Sequence, residues 1–500
     1  MRTDAVPPGV RTRPSLDVAV GALVLAAAAL SMLAFHHRQR ALGFHWRDFG
    51  FFVDRYRHLL DVPVWRRVPV NPNGNDIFGF HGIDGYPTVH HEVHASPIEY
   101  PLAMLYAATG SLYALQAVLV TSYLAALVYV HRRATAIGRS PLLHVSMLAL
   151  LCLSPPYVFA TTFDLRPFEL LGPFLLALAV ALASRAPGWH LAAITALGLA
   201  AREDAALVAA LACVHLHLSG REREATRLYA AAAVYALVFH AVYAGWMGLE
   251  HEWNIESIGA LLLFCVYPAV ASLPLRAASR LAAAFAPHHA PSVLLLAAPF
   301  LAMMARQVLD VGWPQHSFVW TPRWYGPTAV LLVVGASWAA MNASDRALRI
   351  VGAAAAIVAV LGGIASVRQL VKWQRQAEER APFWAVRDAI SDDTRVVTDY
   401  RLYQTFARRE GVLVWNRFPA YLEPSAGRDH PESHPRLRAA VLEHDALVVM
   451  RPGDYRRFAD TMEVTGEPRR WTTCAEGRDW IVLRPDPSPL GCPHARTDTP

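Results

Sequence analysis

Apolar residues in this chain are gathered into long blocks separated by short connectors that carry arginine, and that spacing constrains the fold more than any other feature. A helix needs about 20 predominantly apolar residues to cross a hydrocarbon core about 30 Å thick. The first block, Leu16 to Phe35, has that length, and block after block follows it. With 54% hydrophobic and 17% charged residues, the sequence predicts a polytopic membrane protein. The net charge of +6 does not point to nucleic acid, because the arginines are distributed loop by loop, as membrane topology requires.

Leu16–Phe35 follows Arg2, Arg11 and Arg13 and lacks a small-residue cleavage site before His36, so it reads as a retained anchor with a cytoplasmic N-terminus. Further spans are expected near 112–131, 142–160, 168–184, 189–201, 204–218, 228–247, 257–275, 291–305, 327–342 and 348–366, about eleven with the anchor. This order puts Arg132, Arg133, Arg139, Arg185, Arg221, Arg223, Arg227, Arg276, Arg280, Arg346 and Arg349 on the cytoplasmic side. Arg38, Arg40 and Arg47, just after the anchor, run against that asymmetry.

Residues 36–111 form a long first outer loop, with a turn-rich part (NPNGNDIFGFHGIDGYP) and a short interfacial or re-entrant helix at 97–109. Within WRDFGFFVDRYRHLL, the spacing of Phe49, Phe52, Tyr56 and Leu59 predicts an amphipathic helix facing lipid or protein. The transmembrane domain is expected over 1–372. From 373 to 500 charges of both signs balance, and short apolar runs at Arg395–Thr398, Val412–Trp415, Ala446–Met450 and Trp480–Leu483 alternate with helical patterns at Leu402–Arg409 and Arg436–Glu443. That pattern predicts a small α/β domain, and an odd number of spans puts it outside the cytoplasm. Cys152, Cys213 and Cys265 fall in apolar segments; Cys474 and Cys492 lie in the polar C-terminal region, where an extracytoplasmic location permits a disulfide.

Arg202, Glu203 and Asp204 interrupt the apolar stretch Trp189–Leu218. Charges at bilayer depth each cost about 2.5 to 3.5 kcal/mol, so they survive only beside water, partners or protein, and they mark either a functional site or the solvated tip of a hairpin. A hairpin fits the arginine asymmetry better than one continuous span, which would invert every later loop. The same outer side then collects Asp48, His94, Asp164, Arg166, Glu169, Arg306, His316 and Arg323. HHEVH at 90–94 has metal-ligand residue types, though exposed histidine clusters are more often solvated. Asp164 with Glu169 suits a divalent cation, or Glu169 is simply an acid at a helix N-terminus after Pro167. Arg306 and Arg323 suit a phosphate, or anchor spans at the headgroups.

HASPIEYPLAMLYA at 94–107, FDLRPFELLGPFLLAL at 163–178 and AREDAALVAAL at 201–211 resemble the motifs of a large bacterial membrane-protein family known only as a domain of unknown function. That family is similar in architecture to the GT-C class of polyprenyl-phosphate-sugar-dependent glycosyltransferases. RDFGFF at 47–52 resembles its Asp-Leu-Gly segment, and RVVTDYRLYQTFARREGVLVWNRFP at 395–419 its outer domain. Arg166 stands where the family pattern has histidine, Arg202 where lysine is usual, and Asp54 is off the spacing of the second acid.

The resemblance implies a mainly α, GT-C-like fold of about eleven transmembrane helices with the C-terminal α/β domain. It also implies transfer of a sugar from a polyprenyl-phosphate carrier to an acceptor at the outer face. Asp48 would be the general base, Arg202, Arg306 and Arg323 would stabilise the leaving phosphate, and the remaining acids would orient sugar hydroxyls or a divalent cation. A transporter with broken helices, or a non-catalytic scaffold, are the alternative functions.

Overall fold

The computed structural model describes residues 14–42, 53, 56, 59–60, 96–136, 141–153, 155–162, 165, 167–201, 205–236, 238, 345–399, 402–406, 409, 412–415, 446–464, 470–486 and 491–493. The chain divides into two compact units. One comprises Met1–Phe35, His94–Leu105 and Thr109–Val371, and the other His36–Val93, Tyr106–Ala108 and Lys372–Pro500.

The helices described in the first half are α1 (Pro14–Arg40), α2 (Glu99–Thr109), α3 (Leu112–Ala136), α4 (Pro141–Leu153), α5 (Pro155–Thr162), α6 (Leu171–Ala183), α7 (Gly188–Ala201), α8 (Ala205–Leu218) and α9 (Glu222–Ala236). Among the described residues three helices are long and apolar enough to cross a membrane, and four shorter apolar helices accompany them. The stretch read as one span over 142–160 is two helices, because Pro155 and Pro156 lack the N–H groups that would continue α4, whereas proline is well placed in the first turn of α5. The expected spans 257–275, 291–305 and 327–342 lie outside the described residues.

α6 is the centre of the first unit. Leu171, Leu175, Leu178 and Leu182 repeat at helical spacing and are all buried, and Ala179 and Ala181 are buried beside them. Ala205, Ala209, Ala212 and Cys213 of α8 join the same cluster, and such small residues let helix backbones approach closely. The last helix of this unit, α10 (Asp345–Glu379), does the opposite: Ile357 and Val360 are each 62% exposed. An apolar face of that kind is suited to lipid and not to water. α10 runs well past the expected end at 366, because RQLVKWQRQAEE is made mostly of good helix formers and has no glycine or proline.

Trp189–Leu218 is a hairpin, as the arginine pattern predicts. Arg221, just after α8, donates to the carbonyl of Ala186, just before α7, at 2.6 Å. The two ends of the stretch therefore meet. Arg133 at the end of α3 holds the same turn, donating to Ser184 Oγ at 2.8 Å and to its carbonyl at 2.7 Å. Each arm has 14 residues, or about 21 Å of helix, short of the hydrocarbon thickness.

In the second unit, α11 (Ala381–Ala389) precedes β1 (Val396–Asp399), α12 (Tyr403–Phe406), β2 (Val412–Trp415), β3 (Leu447–Met450), α13 (Pro452–Val464), β4 (Arg470–Gly477) and β5 (Trp480–Asp486). The strand order is β2-β1-β3-β5-β4, with β1, β2 and β3 parallel and β5 antiparallel to both neighbours. β1 and β3 are buried along their whole length, as parallel strands covered on both faces are. The four apolar runs read from sequence coincide with β1, β2, β3 and β5. β4 went unseen because RWTTCAEG has no aliphatic alternation, and of the helix read over 402–409 the described residues show the turn α12. The helical pattern at Arg436–Glu443 lies outside the described residues.

Val397, Val448, Met450, Phe458 and Leu483 make the core of this unit. Arg409 is also buried and donates to the carbonyls of Ser391 at 2.8 Å and Arg387 at 3.1 Å; burial, and then the nearby Arg387 cation, lower its pKa. Within the same unit the last turn of α1 meets α11: Trp384 Nε1 donates to the Arg40 carbonyl at 2.8 Å, with the guanidinium 5.1 Å above the ring. Tyr56 and Leu59, expected on the buried face of an amphipathic helix, are fully buried, as is Val53. Cys474 and Cys492 form a disulfide.

Candidate functional site

Three of the sequence motifs meet at the C-terminal end of α7. Ser96 Oγ donates to the Ala201 carbonyl at 3.0 Å, and the Ile98 amide to the Ala200 carbonyl at 3.0 Å. Both donors belong to the HASPIEY segment, and both acceptors immediately precede Arg202. The PFEL segment, Pro167–Leu170, is a tight 3-10 turn that leads into α6 and packs on α3, α6 and α7. Leu171, directly after it, lies so near α7 that a Cβ on Gly198 would be 3.8 Å from its Cδ1.

Glu169 sits in that turn and is 3% exposed. It stands two residues before α6, where the positive end of a helix dipole favours a carboxylate. A second acid, Glu99, in the first turn of α2, is fully buried in the same unit. Glu99 was not among the candidate residues, although the rule that drew attention to Arg202–Asp204, an ionisable group within an apolar run, applies to EYPLAMLYA as well.

The segment before PFEL is anchored with equal care. At the end of α5, Gln116 Nε2 donates to the Thr161 carbonyl at 2.5 Å, and the Ser31 and Thr161 hydroxyls are bonded at 2.8 Å. These contacts join α1, α3 and α5 three residues ahead of Asp164 in the chain. Of the candidate residues, Glu169 is within the described set; Asp48, His94, Asp164, Arg166, Arg202, Glu203, Asp204, Arg306, His316 and Arg323 lie outside it. Among the described residues no three His, Cys, Asp or Glu side chains are grouped to hold a metal ion. The divalent-cation reading of Asp164 with Glu169 therefore depends on residues beyond them.

The chain shares its fold with solved structures of ArnT. The chain is similar to ArnT from Cupriavidus metallidurans bound to undecaprenyl phosphate, with 12% identity and a TM-score of 0.51 over 95% of this chain and 98% of that one. It is equally similar to apo ArnT from the same organism, with 12% identity and a TM-score of 0.51 over 94% of this chain and 98% of that one. No protein-family model matches the sequence, and no curated protein matches it.

Proposed function

We propose that this chain is a membrane glycosyltransferase that moves a sugar from a polyprenyl-phosphate carrier to an acceptor at the outer face of the membrane. The observation that carries the reading is the fold shared over nearly the whole chain with a protein bound to undecaprenyl phosphate. Supporting it, two buried carboxylates, Glu99 and Glu169, lie in motif segments that pack beside the α7 end from which Arg202–Asp204 continue. The Cys474–Cys492 disulfide favours an extracytoplasmic C-terminal domain at 373–500, since oxidised pairs persist mainly there.

In this reaction the Asp48 carboxylate takes the proton of the acceptor hydroxyl as its oxygen attacks the anomeric carbon. The bond from that carbon to the phosphate oxygen breaks, and the electron pair leaves with the polyprenyl phosphate. Arg202, Arg306 and Arg323 stabilise the charge that develops there. His94, Asp164, Arg166, Glu169, Glu203, Asp204 and His316 contact sugar or phosphate.

Proteoliposomes containing the full chain, supplied with an extract of bacterial envelope lipids and glycans as the source of acceptor hydroxyls, should release undecaprenyl phosphate from at least one of a panel of undecaprenyl-phosphate-linked hexoses and pentoses. Asp48→Asn should reduce that release by about 100-fold or more, the scale of a lost general base. Release that is unchanged in Asp48→Asn, with the protein present at normal levels, would remove Asp48 from the mechanism. Absence of release for the whole panel in the unmodified protein would overturn the transferase reading.

A further inference from the structure

Every helix leaves its last four carbonyls without an intrahelical partner, and where water is scarce each needs another donor. α6 and α8 solve this locally with Schellman motifs. At the end of α6 the Ala186 amide bonds the Ala181 carbonyl at 2.8 Å and the Arg185 amide the Leu182 carbonyl at 3.2 Å, with Arg185 left-handed at φ 49°. At the end of α8 the Arg221 amide bonds the Leu216 carbonyl at 2.8 Å and the Gly220 amide the His217 carbonyl at 3.0 Å, with Gly220 at φ 75°.

The last turn of α7 has donors from elsewhere in the chain. Three consecutive carbonyls, of Leu199, Ala200 and Ala201, are taken by donors from remote parts of the chain. The Tyr235 hydroxyl near the end of α9 donates to Leu199, the Ile98 amide to Ala200 and the Ser96 hydroxyl to Ala201. Ser96 is 105 residues from its acceptor and 3% exposed. Pro97 between the two donors has no N–H and a restricted φ, and the turn Ser96-Pro97-Ile98 presents a hydroxyl to Ala201 and an amide to Ala200. The next residue in the chain after Ala201 is Arg202.

Among the described residues the end of α7 is held by α9 and by the segment ahead of α2, so the point from which the charged triplet departs is tied to the motif segments packed around it. We propose that Ser96 and Tyr235 are positioning residues: by holding the last turn of α7 they set the aim of Arg202, Glu203 and Asp204 during transfer. This role rests on the transferase reading above. Neither residue touches the reacting atoms; both act through main-chain carbonyls.

The test uses the full chain in proteoliposomes with the same panel of undecaprenyl-phosphate-linked sugars and the same acceptor extract, and amide hydrogen exchange over residues 199–207. Ser96→Ala should lower kcat about tenfold with KM within about twofold, because misaimed groups cost rate more than affinity. Ser96→Thr keeps the hydroxyl and should restore kcat to within about twofold. Tyr235→Phe, which removes one atom, should lower kcat in the same way. All three effects should track exchange, which rises in Ser96→Ala and Tyr235→Phe and returns to the unmodified rate in Ser96→Thr.

Unchanged kcat in Ser96→Ala and Tyr235→Phe, a change confined to KM, or no restoration by Ser96→Thr would overturn the positioning role. If Ser96→Ala does not fold, Tyr235→Phe and Ser96→Thr decide by the same criteria. If the unmodified protein releases no undecaprenyl phosphate, the transferase reading fails by itself. Exchange then judges the anchoring alone: a rise in Tyr235→Phe supports it and an unchanged rate overturns it.

Discussion

At the scale of single residues, the ends of α6 and α8 are each settled by two main-chain amides and one left-handed residue. Gly220 adopts φ 75° after α8, and a Cβ built there meets nothing within 4 Å. Gly220→Ala should therefore cost only the left-handed backbone penalty, about 1 kcal/mol, read as a lower melting temperature in nanodiscs. Arg185 adopts nearly the same conformation after α6 without being glycine, in a turn gripped from both sides by Arg133 and Arg221. Both arginines were legible in the sequence as topology signals. Their second use, as donors to the carbonyls of Ser184 and Ala186, was not, because a charge pattern does not reveal which turn lies within reach of a guanidinium.

Among elements, the first unit depends on polar contacts between helices whose surfaces are otherwise apolar. Asp17 of α1, His131 of α3 and His144 of α4 form a chain, with His131 Nε2 at 2.9 Å from Asp17 Oδ1 and His131 Nδ1 at 2.5 Å from His144 Nε2. If His131 Nε2–H donates to the ionised Asp17, neutral His131 accepts from His144 Nε2–H through Nδ1, so one ring bridges three helices. His131→Leu should remove both bonds and leave His144 buried without that partner. The expected loss is about 2 kcal/mol of stability, measurable as reversible unfolding of the full chain in detergent. No sequence period marks this group: His131 closes the span read over 112–131, next to Arg132 and Arg133, and His144 is one polar residue in an apolar helix. The hairpin of α7 and α8 was legible, because its arginines had to share a side; the three donors capping α7 come from residues too far apart in sequence to be linked by spacing.

For the whole molecule, the Cys474–Cys492 pair provides a check on compartment as well as on fold. The bond closes a separation of 18 residues between β4 and the chain beyond β5, and a loop of that size contributes about 3 kcal/mol in the chain-entropy account. Protein isolated without reductant should show neither cysteine reacting with a maleimide, and Cys474→Ser should expose Cys492 to the reagent. Two reactive thiols in the unmodified protein would count against an extracytoplasmic C-terminal region. The sheet itself was largely readable, since β1, β2, β3 and β5 are dense apolar runs, while the hairpin partner β4 is defined only by its pairing with β5.

By itself the sequence determined that the chain is membrane-embedded, where most of its described apolar helices lie, and that charge at 202–204 needed an explanation. Only the tertiary structure decided which helices are central. α6 and α10 are both apolar, yet α6 is enclosed by α3, α7 and α8 whereas α10 turns Ile357 and Val360 outward. Lipid tails and a protein interior are alike in polarity, so hydropathy cannot tell a helix that faces one from a helix buried in the other. Spacing likewise hid the burial of Ser96, whose hydroxyl is bonded to a carbonyl 105 residues away in the chain.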